Sequence, residues 1–149
     1  MSYWKLVEPI WDAVSIYDGG DVFLRQYGAS PEASRILFAA HWCQSEINNG
    51  GFDQFFSNNT GVLAPEGVNA FRALGMPRTA DLIGEAMAAF GLPYPRERDE
   101  REDALEALWG ADNDADPFGN LDEAFFEMVE TENGGFETAA DHYAASMAD

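Results

Sequence analysis

The side chains whose types could support catalysis are concentrated in the segment 41–59. Cys43, with a histidine as base and Asp53 as a third group, would supply the residue types of a cysteine-nucleophile site. The histidine could be His41 or His142, but residues two apart on a helix point in different directions, so His41 cannot readily serve Cys43. Cys43 also lies in an apolar stretch, as a buried structural cysteine does. We therefore expect no catalytic residue here and predict that the protein is not an enzyme.

The other polar residues of the segment 41–59 are mostly amides, which form hydrogen bonds but do not titrate. In a structural interpretation they cap helix ends while the neighbouring phenylalanines fill the core. The alternative is a small ligand-binding or enzymatic helical domain that uses this segment. That alternative predicts a pocket with at least one perturbed pKa, lined by His41, Glu46, Asn49, Asp53 and Gln54.

A second candidate for chemistry is a possible calcium-binding loop in the last third of the chain. Asp112, Asp114, Asp116 and Glu123 have the spacing of positions 1, 3, 5 and 12 in an EF-hand loop. Pro117 stands at the sixth position, where glycine normally makes a sharp turn, and proline cannot replace it. The two histidines also lack a metal-ligand spacing such as His-x-x-x-His. We therefore predict no metal and no cofactor, and an exposed loop rather than a calcium-responsive protein.

Charge is the most one-sided property of the sequence. Residues 97–149 hold 17 acidic and two basic side chains, a balance of −15, whereas 1–96 hold ten acidic and six basic ones, and the two balances sum to −19. Such a surplus repels nucleic acids and anionic lipid and attracts basic protein surfaces. The alternative explanation is that the acidity only keeps the protein soluble or adapts it to a salty cytoplasm, and the single lysine fits that explanation as well.

The acidic residues of the last third are our candidate partner-binding surface. Side chains one helical turn apart are roughly 5–6 Å from each other, so rows of carboxylates can imitate a phosphate track, which in duplex DNA carries one charge per about 1.7 Å. We also expect the i,i+4 ion pairs Glu97–Arg101 and Arg98–Glu102. The predicted partner-binding residues are Glu97, Asp99, Glu100, Asp103, Glu106, Asp112, Asp114, Asp116, Asp122, Glu123, Glu127 and Glu130.

Helical periodicity runs through nearly the whole chain, and no segment alternates with period two over strand length. We therefore predict an all-α fold of about eight or nine short to medium helices in one compact domain spanning 1–149. The tetrapeptide Asn-Gly-Gly-Phe occurs at 49–52 and 133–136, which indicates one helix-ending turn used twice. Helices are predicted over 4–17, 30–47, 52–56, 64–74, 77–90 and 96–109, with a short segment at 21–27 and two more helices in the closing part of the chain.

Three features of the sequence bear on location. No apolar run approaches the ~20 residues that a membrane span needs. The first residues, Met-Ser-Tyr-Trp-Lys-Leu, have neither the basic start nor the apolar stretch of a signal peptide. The single cysteine suits a reducing compartment. We expect a cytoplasmic protein without membrane contact.

The motif Asn-Gly-Gly-Phe-x-Gln-Phe-Phe at 49–56 is the core of a likeness that extends along most of the chain. With 40–46 before it and the segments 63–66, 93–96 and 139–144 after it, it resembles a bacterial domain family of largely unknown function. The named representative of that family is described as a DNA-mimic protein. The resemblance implies an all-α fold and a mimic role, and it implies no catalytic residue. The family-motif residues, which we interpret as structural, are Asn49, Gly50, Gly51, Phe52, Gln54, Phe55, Phe56, Asn58 and Gly61.

We therefore predict an interaction protein whose acidic surface binds the DNA-binding face of a basic protein, such as a transcriptional regulator. Carboxylates would replace phosphates as partners of lysine and arginine. The protein itself would bind no nucleic acid, and a homodimer would be compatible with this role.

Overall fold

The computed structural model describes residues 1–111 and 117–147, and the only regular secondary structure within them is helical. The prediction of an all-α fold is thus confirmed. None of the helices in these two ranges has the length and apolar character that a membrane crossing requires. The α-helices are α1 (Trp4–Val7), α2 (Gly20–Ala29), α3 (Glu32–Ser57), α4 (Ala64–Ala73), α5 (Pro77–Met87), α6 (Arg98–Ala111), α7 (Gly119–Thr131) and α8 (Phe136–Met147), with short 3-10 helices at 8–10, 59–63, 88–90 and 132–134.

Helix α3 is the centre of the fold, and α1, α4, α6, α7 and α8 all contact it. Its apolar residues recur at helical spacing and are buried along its length, which explains why so many helices can pack around it. Phe52, Phe55 and Phe56 are all 0% exposed, and they form an aromatic core in which Phe118 and Phe125 also lie.

The two Asn-Gly-Gly-Phe segments share the conformation of their second glycine. Gly51 has φ 78° and ψ −177°, and Gly135 has φ 95° and ψ 163°, a conformation that side chains with a Cβ rarely adopt. In both turns one helical segment ends at the second glycine and the next begins at the phenylalanine, Phe52 or Phe136, which enters the core. The prediction of one turn used twice is therefore confirmed only for the second glycine and the phenylalanine: Asn49 and Gly50 are still helical, whereas Asn133 and Gly134 have φ 53° and 85°.

The N-terminal part of the chain departs from the prediction. A continuous helix over 4–17 is wrong, because α1 ends at Val7, a 3-10 helix follows, and residues 11–19 are not helical. Pro9 lacks the N–H that a continuing helix would need. The apolar side chains of Val14 and Ile16 are nevertheless buried. The apolar pattern of this segment therefore indicates which residues are buried, although the segment is not a helix. Helix α2 occupies 20–29, where the sequence predicts only a short segment.

The helix starts agree with the sequence only in part. Ser30 is expected from its position before Pro31 to cap α3, but its hydroxyl donates to the Gln26 carbonyl, and no side chain caps that helix start. The starts of α4 near Pro65 and of α5 at Pro77 are as predicted.

Candidate protein-binding surface

Helix α6 is fixed to the core by its inner face. Leu105 is 4% exposed, and Leu108 and Trp109 pack against the core from partly buried positions. The Trp109 indole donates a 2.9 Å hydrogen bond to the Asp53 carboxylate on α3. These contacts determine which face of α6 remains in solvent.

Arg101 anchors the start of the same helix. Its side chain is 0% exposed, and its guanidinium donates to four main-chain carbonyls: Phe56 at 2.9 Å, Asn58 at 2.9 Å, Arg96 at 2.6 Å and Pro95 at 3.3 Å. Burial lowers the pKa of Arg101, but an arginine stays charged at neutral pH. Two of the carbonyls belong to the end of α3, where the helix dipole favours a cation. Arg101 therefore joins α6 and the 95–96 segment to the central helix.

The predicted ion pair Glu97–Arg101 is wrong, because the Arg101 guanidinium points to carbonyls and Glu97 has another partner. Glu97 Oε1 accepts a 2.9 Å hydrogen bond from the Gly20 N–H, so this carboxylate lies at the start of α2. The predicted Arg98–Glu102 pair is present, with 3.1 Å between Nε and Oε1. The Glu97 carboxylate thus connects the start of α6 to the start of α2, so it is less available to a partner than a carboxylate without such a bond.

The outer face of α6 carries a row of free carboxylates. Asp99, Asp103 and Glu106 follow the i, i+4, i+7 spacing of one helix face, and Glu100 lies beside them. All four are exposed and make no hydrogen bond or ion pair with other described residues. We name Asp99, Asp103 and Glu106 the α6 row.

Helix α7 repeats this spacing. Phe125 and Val129 are buried on its inner face, while Glu123, Glu127 and Glu130 are exposed at i, i+4 and i+7. The carboxylates of these three glutamates have no hydrogen-bond or ion-pair partner in the described part of the chain. We name these three glutamates the α7 row.

Asp122 is the candidate residue whose position differs most from the prediction. Its Oδ1 accepts a 2.8 Å hydrogen bond from the Phe52 N–H, and the carboxylate lies against Gly51 at the bend of α3. The side chain therefore caps the second part of α3 rather than extending the α7 row. The candidates Asp112, Asp114 and Asp116, and with them the first part of the proposed calcium loop, lie outside the described residues.

Most of the family-motif residues lie in the core or make hydrogen bonds within the fold, but two of them are exposed. Asn49 and Gly50 are exposed on α3, and Gln54 is partly buried and accepts through its main-chain carbonyl from the Asn58 N–H. A Cβ at Gly61 would lie 2.5 Å from Arg101 Nε, so glycine is required for that approach. The Asn58 side chain bonds Glu46, and its main-chain carbonyl binds Arg101.

The five residues predicted to line a pocket in the amide-rich segment do not converge on one site. The His41 ring bonds the Tyr3 hydroxyl at 2.8 Å, and burial lowers the pKa of His41. Asp53 lies about three helical turns away and binds Trp109. The bonds of His41, Asp53 and Glu46 lead to different parts of the fold, the start of α1, α6 and the end of α3, and Asn49 is exposed.

Cys43 does not have the environment of a nucleophile. Its side chain is completely buried, and burial raises the pKa of the thiol well above its usual value. The thiol therefore stays protonated and unreactive, as expected of a structural cysteine.

Sequence reasoning missed a cleft of about 630 Å³ between the N-terminal residues, α3 and the α7–α8 connection. Its lining includes Trp4, Gln44, Asn48, Glu130 and Glu137. Gln44 and Asn48 belong to the amide-rich segment 41–59, but no sequence signal joins them to Trp4, Glu130 and Glu137, because the cleft exists only where three distant segments meet.

The comparisons with known proteins give one finding. Neither the curated proteins nor the solved structures compared with this chain contain a match. Residues 28–147 match the family described as DMP19-like protein. The matched range holds the central helix, the Asn-Gly-Gly-Phe turns and both carboxylate rows. Because it covers most of the chain, the protein belongs to the DMP19-like family, that of DNA mimic protein 19.

Proposed function

We propose that the protein is a DNA mimic whose exposed carboxylates bind the DNA-binding face of a basic protein, such as a transcriptional regulator. The observation that carries the proposal is the pair of carboxylate rows on α6 and α7, which have no partner among the described residues. In this proposal the protein acts by binding rather than catalysis, does not bind nucleic acid itself, and meets its partner in the cytoplasm, as a monomer or a homodimer.

The spacing of the rows supports the proposal. Along α6, Asp99 to Asp103 is about 6 Å of helix axis and Asp103 to Glu106 about 4.5 Å. One strand of DNA carries a phosphate about every 3.4 Å of its axis. Each row therefore has roughly two-thirds of the linear charge density of a DNA strand. Arginine and lysine side chains are long enough to adapt to that difference.

The hydrogen bonds of the other carboxylates also support the proposal. Glu97, Asp122, Glu132 and Asp141 accept hydrogen bonds from main-chain N–H groups. The two rows have no such bonds within the described residues, so a basic partner would meet carboxylates whose internal contacts need not break. Their field extends over roughly 8–10 Å at moderate salt and would steer a basic protein toward them.

The test needs a partner, which a pull-down from the host's own lysate at about 50 mM salt would supply. We expect a basic DNA-binding protein that elutes sharply in a salt gradient and is displaced by duplex DNA. Binding of that protein would then be measured for the α6-row variant Asp99→Asn, Asp103→Asn, Glu106→Gln. Each exposed charge pair contributes up to about 1 kcal/mol, so we expect affinity to fall roughly 5- to 150-fold.

The matched control is Glu8→Gln, Asp12→Asn, Glu85→Gln, which removes the same charge from exposed residues that make no ion pair in the described part of the chain and lie outside α6 and α7. The proposal requires the control to bind nearly as well as the unchanged protein. Equal losses in the two variants would mean that only net charge matters, and simultaneous binding of DNA and this protein would exclude mimicry.

A further inference from the structure

The cleft of about 630 Å³ beside the α7 row differs in chemistry from the rest of the acidic surface. Its volume is in the range of small-molecule pockets, so an arginine side chain fits within it with room to spare. Its lining residues, all from the described part of the chain, include two carboxylates, Glu130 and Glu137, and no lysine, arginine or histidine. The charged groups of the cleft lining are therefore all negative.

Two other groups at the cleft are consistent with a negative potential, the carbonyls at the end of α7 and the partly buried phenol of Tyr3. Glu130 lies in the last turn of α7, where helix carbonyls add negative charge instead of compensating the carboxylate. Burial raises the pKa of Tyr3, which lines the cleft, and the carboxylates of Glu137 and Asp141 raise it further. A cation in the cleft would reduce the repulsion between the Glu130 carboxylate and the helix carbonyls, and it would offset the effect of the carboxylates on the Tyr3 phenol.

The hydrogen-bonding groups of the cleft suit a ligand that donates. The Asn48 amide N–H₂ donates to Gln44 Oε1 at 3.3 Å, and the Gln44 N–H₂ donates to the His41 carbonyl at 3.1 Å. One N–H of each amide is thus engaged within the protein, and Asn48 Oδ1 is an acceptor without a partner among the described residues. Trp4, held by ring contacts with Trp11 and His41, supplies an aromatic surface.

We propose that this cleft is the receptor for an arginine side chain of the basic partner. A guanidinium is planar, donates five hydrogen bonds and stacks on indole, so it can use both carboxylates, the amide oxygen and Trp4. Glu130 is the last member of the α7 row, so the cleft continues the surface that the proposed function assigns to the partner. The identity of the partner rests on that proposed function, whereas guanidinium binding does not.

In the test, the short peptide acetyl-Gly-Arg-Gly-amide is titrated into the full chain, and binding is measured from NMR chemical shifts. We expect saturable shifts of the Trp4 indole N–H and the Gln44 and Asn48 side-chain amides. The peptide with citrulline in place of arginine, which has nearly the same shape but no charge, should bind at least about tenfold more weakly. The variant Glu130→Gln, Glu137→Gln should lose a similar factor.

The matched control is Glu123→Gln, Glu127→Gln, which removes the same charge from the same row outside the cleft and should change affinity less than about threefold. Equal binding of arginine and citrulline peptides, shifts spread over α6 and α7 instead of the cleft, or unchanged binding in the cleft variant would overturn the proposal. Tighter binding of free spermidine would also overturn it, because the occupant would then be a polyamine. A partner that depends on the α6 row but not on the cleft would overturn the arginine receptor and leave the proposed function intact.

Discussion

At the scale of single residues, charge type does not reveal whether a side chain serves the fold or a partner. Arg98 and Arg101 stand three positions apart on one helix, yet Arg98 pairs with Glu102 in solvent and Arg101 is completely buried. The carboxylates divide in the same way, since Asp122 caps a bend in α3 while the neighbouring Glu123 is exposed.

We expect Arg101→Ala to destabilise the protein by about 3–5 kcal/mol, because several buried carbonyls lose their donor at once. Arg98→Ala, which removes an exposed ion pair and an exposed hydrogen bond to the Ser57 carbonyl, should cost no more than about 1–2 kcal/mol. Urea unfolding followed by circular dichroism measures both. A small effect at Arg101 would mean that water replaces the guanidinium among these carbonyls.

At the scale of elements, glycine turns decide where the helices end. Gly51 bends α3 so that the three phenylalanines that follow it are all fully buried. The Phe52 N–H exposed by that bend is capped from α7 by Asp122. The second turn does similar work, because Asn133 donates to the Leu74 carbonyl and Glu132 accepts from the N–H groups of Arg78 and Thr79. Each turn thus connects helix ends that are distant in sequence.

We expect Gly51→Ala to destabilise the protein by about 1–3 kcal/mol, because a Cβ at φ 78° is strained and would lie 2.6 Å from Asp122 Oδ2. Gly84→Ala is the control with the opposite sign. Gly84 lies within α5, and a Cβ added there would have nothing within 4 Å, so alanine should stabilise by up to about 1 kcal/mol. Thermal and urea unfolding would measure the change in stability of both variants. Equal changes would mean that the positive φ of Gly51 is not the reason for the loss of stability.

At the scale of the whole molecule, a net charge of −19 acts on stability and on binding with opposite signs. Repulsion among the carboxylates opposes the compact state, and salt screens that repulsion. The same screening weakens attraction to a basic partner. Salt should therefore stabilise the free protein while it dissociates the complex.

We expect the Tm of the free protein to rise by about 3–6 °C between roughly 20 mM and 500 mM KCl, or about 1–2 kcal/mol. The α6-row variant, with three fewer charges, should show a smaller rise. Scanning circular dichroism at several salt concentrations measures this. A Tm that falls with salt would mean that ion pairs such as Arg96–Glu66 outweigh the repulsion.

The sequence by itself determined the helical class, the starts of α4 and α5, the glycines that end helices and the location of the charge surplus, because periodicity, glycine and proline act within a few residues of the chain. It could not assign individual carboxylates, since capping by Glu97 or Asp122 depends on which helix start lies opposite them in space. The apolar spacing over 11–17 also misled the prediction, because Val14 and Ile16 are buried in a segment that is not helical. Only the tertiary structure formed the cleft between Trp4, Asn48 and Glu130, because its walls come from segments that meet only when the chain is folded.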